Sequence, residues 1–200
     1  MTTFKSIAAA TLMGALVLGS SFTGKLSGSF KVNTEKSTLK WFATKVTGKH
    51  DGSVKLASGT LNSDGKTVTG GKFDIDMTSL VVADLTDPGM NGKLLGHLKS
   101  DDFFSVEKHK TAHFEITKVA PKSGNEFEVS GKMTIKGITQ DISFPATITT
   151  TAKEVKANAK ITLDRTKWDI RYGSGKFFEG LGDKVIHDDF VIELNLVAGA

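Results

Sequence analysis

Not one of the 200 residues is a cysteine, which removes disulfides, thiolate metal sites and thiol nucleophiles together. A chain of this length suits one domain of ordinary size, large enough to bury a core. Without cross-links it must rely on that core and on its backbone ladder. Arginine is nearly absent too: only Arg165 and Arg171 stand among 26 basic residues. The formal net charge of +4 is mild, and lysine point charges lack the guanidinium fork that reads phosphate backbones and base edges. Nucleic acid is therefore not an expected partner. No apolar run reaches the roughly 20 residues of a membrane-spanning helix, so no stable membrane insertion is expected.

The N-terminus has a pattern of its own. Lys5 precedes an apolar block at residues 7–19, followed by Ser20, Ser21 and Thr23. A positive start, a short apolar centre and small residues near a cut site read as a secretory signal peptide. The expected signal covers residues 1–24, with the cut between 20 and 29, and the mature domain covers 30–200. Residues 1–24 hold no acid, so losing Lys5 lowers the charge to +3. With no cysteine to lipidate, a lipoprotein anchor is excluded, and the expected location is periplasmic or secreted.

What remains is dominated by period-two alternation, the mark of half-buried strands. Leu39, Trp41 and Ala43 alternate with Lys40, Phe42 and Thr44. Val54, Leu56 and Leu61 lead into a turn at Asn62-Ser63-Asp64-Gly65, whose residues tolerate the left-handed region. A strand over 68–77 follows, with Gly70 and Gly71 as the expected bulge. Further inward sets are Ala112, Phe114 and Ile116; Phe127, Val129, Gly131, Met133 and Ile135; Ile142, Phe144, Ala146 and Ile148; Val155, Ala157, Ala159, Ile161 and Leu163; and Phe190, Ile192, Leu194 and Leu196. About eight strands at hairpin spacing predict an all-β closed barrel or sandwich. Pro88 and Gly89 open the one helical segment, with its centre at 90–98 and its reach near 89–104. A second irregular stretch, 172–184, carries four glycines and the pair Phe177-Phe178, echoing Phe103-Phe104 in the first. Small inward residues such as Ala146, Ala157 and Ala159 fit two interiors equally, one hollow and one filled by large neighbours.

Catalytic signatures are scarce. No G-x-S-x-G elbow occurs. Residues 59–67, GTLNSDGKT, end like a phosphate loop but have one residue too many between their glycines and join two strands. His109 and His113 are four apart, yet His113 falls in a strand and Lys108 and Lys110 add repulsive charge, so no metal site is expected. Asp74 and Asp76 share one strand face, whereas paired carboxylates in glycosidases flank a cleft. His50-Asp51-Gly52 reads first as a turn, and second as a polar mouth where an imidazole and lysines meet an anionic head group. His187-Asp188-Asp189 could bind a cation weakly, and a turn before the last strand explains it as well.

Four stretches carry a resemblance to a known family: GHLKSDDFFSVEKHKTAHFEITKV at 96–119, VSGKMTIKGITQDISFPATI at 129–148, ITLDRTKWDIRYGSG at 161–175 and GDKVIHDDFVIEL at 182–194. On these the chain resembles the YceI-like family from about Phe30 to its end. The resemblance implies an extended, lipocalin-like antiparallel barrel of eight strands with a short helical segment, in a family of exported proteins without demonstrated catalytic machinery. It also implies a polyisoprenoid or other long-chain lipid inside the barrel. The tunnel wall would then comprise Trp41, Phe103, Phe104, Phe114, Phe144 and Trp168, and the mouth or head-group contacts His50, His97 and Lys99. No cofactor, metal or enzymatic activity is implied, and a homodimer is left open. The GKHDG run and the long GSGKFFEGLGDK connection depart from commoner members. The alternative is a packed barrel acting as a stress or interaction protein with no lipid ligand. A third reading is a lipid hydrolase or isomerase using His97 or His50; it lacks a visible base–nucleophile pair.

Overall fold

The structure is a computed structural model and describes residues 27–199; the expected signal at 1–24 lies outside the described residues. The alternating stretches form nine strands: β1 (Ser27–Lys31), β2 (Thr38–Lys45), β3 (Gly48–Asp64), β4 (Val68–Val82), β5 (Thr111–Pro121), β6 (Glu126–Ile135), β7 (Ile138–Thr150), β8 (Glu154–Asp164) and β9 (Ile186–Gly199), with one helix, α1 (Pro88–Lys99). The order is β1-β3-β2-β9-β8-β7-β6-β5-β4, and β3 also pairs with β4 to close the ring. β1 and β2 lie along the same edge of β3, β1 against residues 60–64 and β2 against 48–54. They share one position in the wall, so the barrel is eight-stranded and antiparallel, as expected. Closure pairs most strand edges among the described residues, and the main gap lies beside β7, whose residues 138–145 have no partner on β8.

The jog between β1 and β2 has local causes. Asn33 Oδ1 accepts the amides of Glu35 and Lys36 at 3.2 and 3.0 Å, the competition with strand pairing that asparagine side chains offer. Val32 then bridges to Ala198, and Ser37 Oγ accepts the Val197 amide at 3.0 Å. No sequence signal had placed a strand as early as β1.

Two local expectations are corrected. His50-Asp51-Gly52 is not a turn; it lies inside β3, paired with Ala43, Phe42 and Trp41, and the chain reverses earlier, at Val46 and Thr47. Gly52 is there because the backbone packs tightly: a Cβ would sit 2.8 Å from the Trp41 ring and 1.9 Å from the Val81 carbonyl. Sheet pairing overrides Asp-Gly turn propensity where an aromatic ring needs a bare backbone to lie on. His187-Asp188-Asp189 likewise begins β9 rather than forming a turn. The helix ends at Lys99, and residues 101–104 continue as turns. The expected bulge falls at Thr69, beside Gly70, where Asn62 pairs with Gly70 and Ser63 with Val68.

α1 starts where Asp87 Oδ1 accepts the Met90 amide at 2.8 Å, with Pro88 in the first turn. Gly92 and Gly96 weaken it, and it is held to the barrel by side chains instead. Asn91 Nδ2 donates to the carbonyls of Val82 and Leu85, Lys99 Nζ donates to Thr78 O at 2.9 Å, and Leu94, Leu95 and Leu98 pack on the core. The strand ends fall into two rims. One carries the 3–4, 5–6 and 7–8 hairpins. The other, the lid rim, carries the 2–3 and 6–7 hairpins and the long connections 83–110 and 165–185.

Two glycines separate packing from propensity. Gly131 in β6 lies under Phe114, whose ring would be 2.6 Å from an added Cβ, with Glu115 O at 2.4 Å; Gly96 in α1 has nothing within 4 Å. Gly131→Ala is expected to cost about 1–3 kcal/mol by overpacking, and Gly96→Ala to stabilise by up to about 1 kcal/mol. Urea unfolding of both variants checks this, and equal effects of the same sign would contradict it.

Candidate functional site

Inward-facing residues from β2 through β9 leave the barrel hollow rather than filled. The cavity measures about 180 Å³, and every residue lining it is apolar except Arg165 and His187. Its wall is uneven. Phe73, Phe114 and Phe144 form a run of rings with centroids 6.2 and 5.6 Å apart, a range favourable for aromatic pairs. On β8, next to β7 in the wall, stand Ala157 and Ala159, paired with Leu196 and Leu194 on β9. The small residues leave space that their neighbours do not fill, which decides between the two interiors that composition left open. An apolar void of similar size, about 150 Å³, stays dry and takes up a hydrocarbon in other proteins.

Pro145 marks a change in the wall. β7 pairs with β8 only from Ala146 to Thr150, and proline has no amide to continue a ladder. Beyond that point a 3-10 turn, Arg165–Trp168, follows β8. Gln140 Nε2 donates to Lys167 O at 2.9 Å. Trp168, fully buried, donates its indole N–H to Met133 O at 3.2 Å.

Arg165 begins this turn and is 5% exposed. Its Nε donates to His187 O at 3.1 Å, Nη1 to Ile170 O and Tyr172 O at 2.9 Å each, and Nη2 to Ile186 O at 3.0 Å. Four carbonyls, two from the 165–185 connection and two from the first residues of β9, thus converge on one guanidinium, the planar fork suited to such work. Burial lowers its pKa, opposed by Asp188 and Asp164. Asp188 Oδ1 lies 3.5 Å from Nη2 and is buried without a hydrogen bond; Asp188 Oδ2 meets Lys176 Nζ at 3.1 Å. Lys176 also pairs with Asp164 at 2.9 Å. Burial resists ionisation of Asp164, but hydrogen bonds from Thr166 and Lys176 win and hold its pKa at about 2. A carboxyl depressed in this way stabilises the fold above its unfolded pKa of about 3.9. That contribution fades as pH falls from there through about 2.

The two connections of the lid rim are joined to each other. His97 packs edge-on against Phe103 and Tyr172, with centroids at 4.9 and 4.5 Å. Arg165 lies over the Phe103 ring at 6.0 Å. Lys136 Nζ donates to Asp101 O and Asp169 O at 3.0 and 3.1 Å. Asp101 also accepts from Ser105 and Lys108, and these partners hold its carboxyl below the usual range.

Of the residues singled out by sequence, Trp41, Phe103, Phe104, Phe114 and Phe144 line the cavity, and Leu98 joins them. Trp168 does not; its indole is spent on Met133. His50, His97 and Lys99 also stand outside the lining. His50 Nδ1 lies 2.8 Å from Asp84 Oδ2, His97 Nε2 lies 3.1 Å from Asp102 Oδ2, and Lys99 holds Thr78. All three brace the connection from β4 to β5. Sequence reasoning missed Arg165, although its rarity and the Asp-Arg-Thr run that closes β8 were visible.

One surface cluster has catalytic residue types. Ser58 Oγ donates to Asp74 Oδ2 at 2.7 Å, and His113 Nδ1 lies 2.7 Å from Asp74 Oδ1. The carboxylate sits between the hydroxyl and the imidazole, so His113 is not placed to take the serine proton, which a Ser-His-Asp relay requires. Among the described residues no group of three or more metal-ligating side chains gathers.

Residues 30–198 match the YceI-like domain. Curated relatives include UPF0312 proteins of Serratia proteamaculans, 42% identical over 50 residues, and of Vibrio parahaemolyticus, 30% identical over 96 residues. The first match covers 25% of this chain and 26% of its relative, the second 48% of each. The chain thus spans between a quarter and half the length of these curated relatives. Among solved structures, BcnA of Burkholderia cenocepacia superposes with a TM-score of 0.67 at 22% identity, covering 84% of this chain and 99% of that one. A polyisoprenoid-binding domain from Saccharophagus degradans, implicated in plant cell wall breakdown, gives 0.60 at 13% identity, covering 86% and 98%. A YceI protein of Campylobacter jejuni gives 0.55 at 16%, covering 99% and 93%. At these identities the structural likeness speaks for the fold.

Arg165→Met is expected to cost about 3–5 kcal/mol, because it strands four carbonyls and leaves the buried Asp188 Oδ1 without its nearby cation. Chemical denaturation monitored by near-UV circular dichroism measures it, and a loss below about 1 kcal/mol would contradict the assigned role.

Proposed function

The chain belongs to the YceI-like family, and from that premise we propose that it is an exported, non-catalytic binding protein that holds a polyisoprenoid or similar long amphiphilic lipid inside its barrel. The observation that carries this reading is the hollow interior, lined by apolar side chains from one rim to the other. A hydrocarbon chain there gains about 0.8 kcal/mol per buried CH₂. A five-carbon unit therefore contributes on the order of 4 kcal/mol before the cost of ordering it. Affinity grows with chain length and needs few polar contacts. The polyisoprenoid-binding description of the Saccharophagus neighbour supports the ligand class, and the lysine-led apolar N-terminus supports export.

The packed-barrel alternative needs Trp41, Phe114 and Phe144 to fill the interior, whereas all three border open space. A hydrolase or isomerase at His97 or His50 is disfavoured, because both imidazoles are engaged with carboxylates outside the cavity lining.

Ala159→Phe places a ring in the hollow beside Leu194 and is expected to lower affinity for a fluorescent polyprenyl probe at least tenfold while the variant stays folded. Lipid extraction and mass spectrometry of protein from an expression host should recover a long-chain lipid from wild type and little from the variant. Repeatedly empty wild-type protein that also fails to bind the probe would overturn the reading.

A further inference from the structure

The large apolar side chains left exposed are not scattered. Among the described residues they are Val46, Val81, Met90, Tyr172, Phe177 and Phe178, and all six belong to the lid rim. Val46 is in the hairpin from β2 to β3, Val81 at the end of β4, Met90 in the first turn of α1, and the three aromatics in the 165–185 connection. Hydrogen bonds and ring contacts join these pieces. The Val46 amide donates to Val185 O at 3.1 Å, and Tyr172 packs on His97 of α1. Phe177 and Phe178, 45% and 48% exposed, stand in tandem with their amides both directed to Ser174 O. Scattered surface apolars need no explanation, but a set confined to one face marks an interaction site.

The same rim borders the cavity. Phe103, Phe104, Ile170 and Ile186 line it, and all come from the connections or strand starts that carry the exposed residues. The anchoring of the Phe pair is firm at its base and free at its tip. Ser174 is fully buried and Lys176 is locked to Asp164 and Asp188, while Gly180 and Gly182 have nothing within 4 Å of an added Cβ. Charge identifies what the tip can face. The exposed cations of the connection, Lys167, Arg171, Lys176 and Lys184, are nearly balanced by Asp169, Glu179 and Asp183. Arg171 and Lys176 are already paired, Arg171 with Asp169 at 2.6 Å and over the Phe177 ring at 4.8 Å. A near-neutral apolar tip is complementary to an electroneutral surface that admits phenyl rings.

The geometry points to the lid rim as a docking surface for a zwitterionic phospholipid bilayer, with Phe177 and Phe178 inserting at the level of the head groups so that the cavity faces the membrane from which its cargo comes. This rests on the lipid-binding reading above and adds the place of loading. Docking of this kind follows apolar area and is weakly sensitive to salt, unlike capture by lysines on anionic lipid. A second copy of the chain seated on the same face is the competing occupant.

The test is flotation of the mature protein with phosphatidylcholine vesicles at low and high salt, beside the double variant F177S/F178S. The expected result is co-flotation of wild type at both salt levels, reduced at least about tenfold in the variant, as the loss of two inserted rings predicts. The variant should keep its unfolding midpoint and its affinity for a polyprenyl probe presented in detergent. Wild type that stays at the bottom of the gradient overturns docking, and so does a variant that floats equally well. A wild-type dimer that the double variant turns into a monomer, without flotation, overturns it in favour of self-association. Flotation of a protein that binds no probe upholds docking while the cargo reading fails, so the two are told apart.

Discussion

The guanidinium of Arg165 gathers the carbonyls of Ile170, Tyr172, Ile186 and His187 around itself at the end of an otherwise apolar hollow. Those carbonyls flank a long, mostly exposed connection, two from its first part and two from the first residues of β9. With four partners the fork is almost spent, and the buried charge is balanced by Asp188, with Asp164 and Lys176 beyond it. The rest of the lid rim follows from this. Phe103 lies against the guanidinium, Tyr172 is held where His97 can meet it, and α1 is thereby tied to a segment far away in sequence. A hollow barrel lacks the central packing that normally positions its ends, so a polar clasp at the rim takes over that work.

Much of the wall was legible in the sequence because period two is a strong signal. β6 reads inward at Val129, Gly131, Met133 and Ile135, and all four are buried. β8 and its turn-flanked ends fall within one residue of the pattern. What stayed hidden depends on contacts distant in sequence. His50-Asp51-Gly52 has the composition of a turn, and only pairing with β2 and the ring of Trp41 explain it as strand. β1 is short and exposed, so its alternation is faint. Alanines at 146, 157 and 159 fit a packed or a hollow barrel alike, since a void is a property of all the staves together.

Five of the six aromatic residues expected at the tunnel wall line the cavity, and the three polar residues expected at its mouth do not. Histidine and lysine in an irregular segment suggest ligand contacts, yet His50, His97 and Lys99 are taken up by Asp84, Asp102 and the Thr78 carbonyl. Trp168 looked like wall and instead lies buried with its indole on Met133. The residues left to face a ligand are almost all hydrocarbon. On the proposed lipid-binding reading, the length and cross-section of a chain would count for more than its head group, and the rings exposed at the rim would meet the membrane.

The measurement that reaches the central claim most directly is quenching of tryptophan fluorescence by a polyprenyl or acyl chain carrying bromine. Trp41 borders the hollow and Trp168 does not, so the two indoles report on different places. A chain inside the barrel predicts saturable quenching that is largely lost in Trp41→Phe and retained in Trp168→Phe. Saturable binding that leaves Trp41 emission unchanged would show that the chain lies elsewhere and contradict the account.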